Sequence, residues 1–183
     1  MKARITWITI MVLLVAGTTL ILLPSCAKIK EAVKFKVKYD LPDSHFTIDP
    51  LTLLKTEYSL YSQTYTVNID SILGANKGLV SKINFYKIRL SVVSPDDVTL
   101  GWINSARITI TPAGGAPFDI ATTPVITSTM RSVDFIVKDT DVSSAMNGPF
   151  QLDVYGSVKP PFPTSSFELL FQSGLEITIS PLK

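Results

Sequence analysis

The chain alternates between apolar and polar residues in short runs that follow one long apolar stretch at its beginning. From residue 33 to residue 39 every second residue is apolar or aromatic, and lysines occupy positions 34, 36 and 38. A period of two places successive side chains on opposite faces, which predicts a half-buried β-strand. Seven further segments show alternation or a short apolar run between turn residues: 57–69, 84–95, 101–112, 113–122, 132–137, 149–159 and 165–182.

These segments predict the fold class. Seven or eight strands, separated by turn residues, are typical of a single all-β sandwich of immunoglobulin-like or Greek-key type. One irregularity is expected at Ser62–Gln63. Two short helical turns are expected, one capped by Asp70 and ended by Gly74 or Gly78, the other within residues 139–148. No long helical period follows the initial apolar stretch, which argues against βαβ units.

The first 25 residues differ from the rest of the chain. Lys2 and Arg4 precede an uncharged, strongly apolar run over residues 5–24. A basic region, an apolar region and small residues before a boundary describe a secretory signal peptide. The single cysteine, Cys26, stands where this run stops.

The four residues Leu23-Pro24-Ser25-Cys26 resemble the lipobox of bacterial lipoproteins. In that family the cysteine thiol receives a diacylglycerol, cleavage leaves the cysteine as the first residue, and its amine is acylated by a fatty acid such as palmitate. The resemblance implies lipid attachment at Cys26, a signal peptide over residues 1–25 and one mature domain over residues 26–183. Pro24 departs from the small residue that is usual there.

An uncleaved transmembrane helix is the alternative, because residues 5–23 would span roughly 28 Å at about 1.5 Å per residue. Both interpretations place the rest of the chain outside the cytoplasmic membrane. Ala27 follows Cys26, whereas an aspartate there holds enterobacterial lipoproteins at the inner membrane. The resemblance therefore implies an outer-membrane anchor. The mostly basic run at 27–34 lacks the acidic cluster of surface-exposed Bacteroidetes lipoproteins, which favours a periplasm-facing protein.

The charge balance excludes one class of partner. Of the 17 basic residues, Lys2 and Arg4 precede Cys26, so 15 basic residues face 15 acidic residues in the mature chain. A balanced domain gives no field that would steer it to nucleic acid. The layout of lipobox, strand, short helix after "VNID", strand "INFYKIRLSVVSP" and paired C-terminal strands resembles small β-sandwich lipoproteins of Bacteroidetes, a resemblance that implies no activity.

Few residues of the chain are suited to catalysis. The only histidine, His45, lies in the turn-rich stretch 40–52, where we expect it to be solvated, and no G-x-S-x-G motif supplies a nucleophile. The carboxylate pairs at 96–97 and at 139 and 141 fall in turns, where capping explains them, and calcium binding at "DTD" is the alternative. We expect no catalytic residue, no metal and no cofactor.

Four features have an alternative binding interpretation. The "PPFP" run at 160–163 is expected to be a stiff loop or an extended recognition segment. The lysines at 34, 36 and 38 form either a solvated edge or a basic stripe for anionic head groups. "Asp70-Ser71-Ile72" resembles the O-glycosylation site of secreted Bacteroidetes proteins, which implies a sugar on Ser71. Six aromatic residues form either core or a sugar-stacking platform: Tyr58, Tyr61, Tyr65, Phe85, Tyr86 and Trp102.

Together these features predict a lipid-anchored cell-envelope protein whose sandwich is a non-enzymatic binding or assembly module. The expected partners are the membrane, through the acyl chains, and an envelope protein or a glycan. A structural subunit of a surface fibre or envelope complex is the alternative. A glycan or peptide hydrolase is a further alternative, for which the sequence supplies no catalytic set.

Overall fold

The computed structural model describes residues 34–50 and 58–180, so the leader and Cys26 lie outside the described residues. The elements are two antiparallel five-stranded sheets, one short α-helix and two 3₁₀ turns, at Gly74–Leu79 and Ser143–Asn147. In chain order they are β1 (Phe35–Asp40), β2 (Ser44–Ile48), β3 (Tyr58–Tyr65), α1 (Ile69–Leu73), β4 (Val80–Ser94), β5 (Ile103–Pro112), β6 (Phe118–Thr122), β7 (Ser132–Asp134), β8 (Ile136–Val137), β9 (Phe150–Val158) and β10 (Phe167–Ile179).

The strand order identifies the type of sandwich. Sheet 1 runs β1-β10-β4-β7, with β2 also on β10, and sheet 2 runs β3-β9-β5-β6-β8. β1 and β2 pair with successive halves of β10, and β7 continues into β8 across the two sheets. If β1 with β2, and β7 with β8, are each counted as one interrupted strand, eight strands remain. Renumbered from 1 to 8 in chain order, they follow the order 1-8-3-6 in sheet 1 and 2-7-4-5 in sheet 2, where the second half of strand 6 pairs with strand 5. That order is the Greek-key arrangement called a jelly roll. The predicted all-β sandwich is confirmed.

The two ends of the sandwich carry different connections. β1 and β4 both begin opposite Ile179, the last residue of β10. This end, which we call the helix end, carries α1 and the 3₁₀ turn Ser143–Asn147. The opposite end, which we call the loop end, carries the connections 95–102, 123–131 and 159–166. At about 3.3 Å per residue the 15-residue strand β4 separates the two ends by roughly 45 Å.

The core lies between the sheets and is made by the inward side chains of every long strand. The largest fully buried side chains include Phe150, Phe167, Phe171, Leu90, Ile108 and Leu152. β3 enters this core irregularly, because its register on β9 shifts between Ser59 and Tyr61. The bulge turns both Leu60 and Tyr61 inward, at 6% and 7% exposure. The predicted irregularity at Ser62–Gln63 is therefore wrong by two residues.

The turn-rich stretch 40–52 holds a strand that the sequence analysis missed. Residues Ser44–Ile48 form β2 and pair with Phe167–Phe171 of β10. Pro42 and Asp43 therefore mark a short break between β1 and β2, not a long loop. A short break is enough because both strands pair with the same strand, β10.

Two local predictions are also corrected. The N-cap of α1 is Asn68, whose side-chain oxygen accepts the N–H of Ser71, and Asp70 lies inside the first turn. A side chain must precede the helix to reach its free N–H groups, so Asn68 has the better position. The strand predicted over 132–137 is broken at Phe135, whose N–H donates to the carbonyl of Ile88 while the chain crosses from sheet 1 to sheet 2.

Candidate functional site

The two residues predicted for modification have different standing. Cys26 lies outside the described residues, so its lipid attachment stays a prediction. Ser71 lies in α1 and is exposed, with its backbone N–H bound to Asn68 Oδ1 at 2.9 Å. An enzyme that adds sugar needs an accessible hydroxyl, and the position of Ser71 meets that requirement. The sugar on Ser71 also stays a prediction.

His45 is solvated, as expected, although it lies on β2 rather than in a turn. Its Nδ1 is 2.7 Å from Glu168 Oε1 on the neighbouring strand β10, and the imidazole is 54% exposed. This geometry describes a cross-strand surface pair. Such exposed pairs contribute little to stability, on the order of 0–1 kcal/mol.

The "DTD" carboxylates act in local structure. Asp141 Oδ1 accepts the N–H of Ile83 at 3.2 Å and both the N–H and the hydroxyl of Ser143, at 2.9 and 2.5 Å. Burial alone would raise the pKa of Asp141, but these hydrogen bonds together outweigh it and hold the pKa below its usual range. Asp139 pairs with Lys82. Capping therefore accounts for Asp141. Within residues 34–50 and 58–180, no three His, Cys, Asp or Glu side chains are grouped to hold a metal.

The lysines of β1 are engaged by neighbouring strands. Lys36 Nζ is 2.7 Å from Glu176 Oε1 on β10, and Lys38 Nζ lies 4.5 Å from the centre of the Tyr86 ring on β4. Tyr86 in turn donates a hydrogen bond to Asp40 at 2.5 Å. These partners compensate the positive charge at the surface of sheet 1. The geometry therefore favours the solvated edge over a basic stripe for head groups.

The six aromatic residues do not form a platform. Tyr61, Tyr65, Phe85 and Trp102 are buried, with exposures between 2% and 7%. Tyr61 and Tyr65 share a hydrogen-bonded network on the side where β2 and β3 face each other. The Tyr61 hydroxyl lies 2.8 Å from that of Tyr65, and Gln63 and Ser44 complete the set. Burial is the largest cause that raises the pKa of Tyr61 well above its usual value.

Two open depressions are lined by polar side chains. The first, the helix-end cleft, has a volume of about 690 Å³ and lies between segments 66–70, 78–83 and 141–148. The second, of about 530 Å³, crosses the outer face of sheet 2 beside Arg107 and Tyr155, where the guanidinium lies 4.8 Å from the ring centre. Asp141, one of the two carboxylates that line the first cleft, already accepts hydrogen bonds from backbone N–H groups. Among the described residues, no buried side-chain nitrogen or oxygen that lacks a hydrogen-bond partner lines either depression.

A third depression lies at the loop end and differs in this respect. We call it the slot; it is lined by segments 97–102 and 161–165 and by Ser128, and has a volume of about 270 Å³. Trp102 lines it and is 2% exposed, with its ring 5.3 Å from that of Phe167 in an edge-on arrangement. Its indole Nε1 is buried and finds no hydrogen-bond acceptor among the described residues. An unpaired buried donor costs about 1–3 kcal/mol, so this one calls for an explanation.

The walls of the slot are held closely together. Gly101 lies so near Ser128 that a Cβ at Gly101 would stand 2.7 Å from the Ser128 Cα. Arg131 donates to the carbonyl oxygens of Pro95 and Asp96 and pairs with the Asp96 carboxylate at 3.3 Å. The loops are therefore braced before any ligand arrives. The "PPFP" run forms the β9–β10 connection, as predicted, and supplies one wall of the slot.

Sequence reasoning did not assemble the slot. Trp102 was interpreted as core or as part of a sugar-stacking platform, and "PPFP" as a stiff loop or a recognition segment, but the two were not connected, and about 60 residues separate them. The pairing depends on the strand order, which brings three distant connections to one end. The usable signal was that Trp102 is the only tryptophan after the leader and follows a glycine, next to a turn rich in hydroxyl and acidic residues.

No helix within the described segments is long and apolar enough to cross a membrane.

No protein-family model matches the chain, and no curated protein matches it in sequence. Several solved virus structures are similar over most of the chain. Desmodium yellow mottle tymovirus is 15% identical over 82% of this chain and 90% of its own, with a TM-score of 0.25. Turnip yellow mosaic virus is 15% identical over 81% and 95%, with a TM-score of 0.27. Infectious bursal disease virus is 13% identical over 79% of this chain but 36% of its own, with a TM-score of 0.32. Such values support no inference about function.

Proposed function

We propose that this protein is a lipid-anchored cell-envelope protein whose jelly-roll domain is a non-enzymatic binding or assembly module. One observation carries the proposal: the only cysteine stands at the end of the apolar leader in the sequence Leu23-Pro24-Ser25-Cys26. One acyl chain gives marginal membrane binding, at about 0.8 kcal/mol per buried CH₂, whereas two or three give a stable anchor. The anchor would be in the outer membrane and the domain would face the periplasm.

The fold suits a tethered module. β1 begins at Phe35, nine residues after Cys26, at the helix end of the sandwich. The tether would therefore join the domain at that end and present the loop end, roughly 45 Å away, to the surroundings. A tether restricts the domain to the membrane surface and raises its effective concentration for a neighbour. This supports binding or assembly as the role of the loops.

Metabolic labelling with an alkyne fatty acid tests the anchor. Cells that make the full chain should incorporate the label into this protein, and Cys26→Ala should abolish both labelling and partition into a detergent phase. Ser25→Ala is the matched control, because it keeps a small residue at the junction and should label normally. Label retained by Cys26→Ala would refute lipid attachment at this thiol.

A structural subunit of a surface fibre or envelope complex is the second candidate, and the edge of sheet 2 favours it. Among the described residues, β3 pairs only with β9, and its eight residues include no charge and no proline. Protected edges usually carry such residues, as β1 does with Lys36, Lys38 and Asp40. A partner could add a strand there. Native size after mild detergent extraction decides: a polymer or large complex supports this role, and a monomer excludes it.

A further inference from the structure

We propose that the slot at the loop end binds one sugar ring of a neutral glycan, with Phe162 and its flanking prolines against the ring and with Asp97 and the indole N–H of Trp102 at its hydroxyl groups. This inference rests on the proposed binding role and names the ligand class and the place. It does not depend on the acyl anchor, so the two can fail separately.

The indole nitrogen of Trp102 is the first reason. It is a strong donor, buried, with no acceptor among the described residues, and it belongs to a side chain that lines the slot. Buried donors without partners are uncommon, and a bound ligand or an ordered water usually supplies the acceptor. A sugar hydroxyl accepts as well as donates, so it fits such a group. Phe162, which is partly buried against the core, lines the same slot.

The chemistry of the lining is the second reason. Apolar surface comes from Val98, Trp102 and the Pro161-Phe162-Pro163 wall. The rim carries hydroxyl groups from Thr99 and Ser128 and two more from residues 164 and 165. A pyranose has the same division, since its C–H face packs on aromatic and prolyl surface and its hydroxyl groups point outward to polar partners.

Charge and size favour a single uncharged ring over an anion or a lipid tail. Asp97 is the only charged residue in the lining, and it is exposed at the rim, so an anionic ligand such as a phosphate would be repelled. The slot volume of about 270 Å³ equals roughly nine water molecules at about 30 Å³ each, the scale of one ring. A lipid tail needs a longer apolar channel than this.

The fluorescence of Trp102 provides a direct test. The chain has two tryptophans, Trp7 in the leader and Trp102. Trp102 is therefore the only tryptophan of a cleaved protein, and Trp7→Phe makes it the only tryptophan of a protein that keeps its leader. The purified full-length protein, in detergent, is titrated with soluble cello-, malto-, chito- and manno-oligosaccharides. We expect at least one series to give a saturable change in emission. No change with any of them at millimolar concentration would overturn the proposal.

Variants separate specific binding from a general effect. Asp97→Asn and Phe162→Ala should each weaken the binding by roughly tenfold or more, with an unchanged circular dichroism spectrum. Asp139→Asn, at the helix end, is the matched control and should bind as the parent does. Equal affinity in all variants would place the sugar elsewhere and overturn the proposal. A signal from proline-rich peptides but not from sugars would also overturn it. Fatty-acid labelling of the same samples reports on the anchor independently.

Discussion

Gly174 shows how tightly single residues are constrained on the outer face of sheet 1. The side chains of Tyr86 and Asp40 lie directly over Gly174. A Cβ added to Gly174 would stand 2.7 Å from Asp40 Oδ1 and even closer to the Tyr86 ring. The hydrogen bond from Tyr86 is the largest cause that holds the pKa of Asp40 below its usual range. The sequence shows a glycine in a strand pattern, which marks a close approach. It does not show which side chain approaches, since Tyr86 is 88 residues away.

Gly174→Ala should destabilise the domain by no more than about 1 kcal/mol, because the methyl group displaces only the outer ends of the Tyr86 and Asp40 side chains and breaks the hydrogen bond between them. Gly148→Ala is the matched control: nothing lies within 4 Å of its Cβ position, and its φ of −169° suits any residue. Urea unfolding measures both. Equal midpoints for the two variants would contradict the close contact at Gly174.

Burial of the Tyr61 hydroxyl leads us to expect that the unfolding free energy falls in alkali. Its pKa is raised in the folded state by burial, so its contribution is complete below the unfolded value of about 10 and is lost as the pH rises beyond it. Tyr61→Phe should therefore flatten the fall in unfolding free energy above about pH 10. Urea unfolding at a series of alkaline pH values measures the slope for the parent and the variant. An unchanged slope in Tyr61→Phe would contradict the buried network.

At the scale of elements, the sequence predicted most strands but not their interruptions. The strands in 84–95, 101–112 and 149–159 are confirmed because their apolar periods are clear and turn residues bound them. β2 was missed because Pro and Asp residues on both sides made the segment look like a loop. The crossing at Phe135 and the bulge at Leu60 depend on the partner strand, which local periodicity does not contain.

The 3₁₀ turn Ser143–Asn147 is attached to β4 by Asp141, which gives a prediction at this scale. Asp141→Ala should cost about 1–2 kcal/mol of unfolding free energy at neutral pH, because the N–H of Ser143 loses its acceptor and the N–H of Ile83 keeps only Ser143 Oγ. Asp139→Ala removes only an exposed ion pair with Lys82 and should cost less than about 0.5 kcal/mol. Thermal or urea unfolding of the two variants makes the comparison.

The same carboxylate fixes the direction of the pH dependence. The pKa of Asp141 is below its usual value near 4, so its contribution is present above that pH and is lost as the pH falls through the folded value. The parent should therefore lose more stability than Asp141→Ala between neutral and about pH 3. If the unfolding free energies of the two proteins fall in parallel as the pH is lowered, the hydrogen bonds at Asp141 do not stabilise its ionised carboxylate.

At the scale of the whole molecule, the sequence indicated a sandwich but not its strand order. Eight strands with short connections are compatible with several Greek-key arrangements, and the choice depends on long-range pairing such as β1 with β10, over 130 residues apart. The slot could not be predicted from the sequence for the same reason, because its three walls come from connections that only the strand order brings together. The proposed signal peptide, in contrast, does not depend on strand order, because it would act as a linear pattern; it lies outside the described residues and stays a prediction.

If Cys26 carries the proposed lipid, the separation of the two ends predicts how the domain is oriented on a bilayer. A fluorophore on Asn76→Cys, at the helix end, should be quenched more strongly by lipids with nitroxide head groups than one on Thr164→Cys, at the loop end. The acylated Cys26 would not react with the dye. Purified protein in vesicles supplies the measurement, and equal quenching at both sites would contradict attachment through the helix end.

The pairing of β1 with β10 has a mechanical consequence. Six residue pairs, from Phe35–Ile179 to Asp40–Gly174, join the two strands in continuous register. A pull from the membrane would enter at Phe35 along the axis of β1, so it would slide one strand past the other and stretch all six pairs at once instead of peeling them one by one. A jelly roll attached in this way would resist tension between the bilayer and a bound partner, because β1 would carry the load through all six pairs with β10.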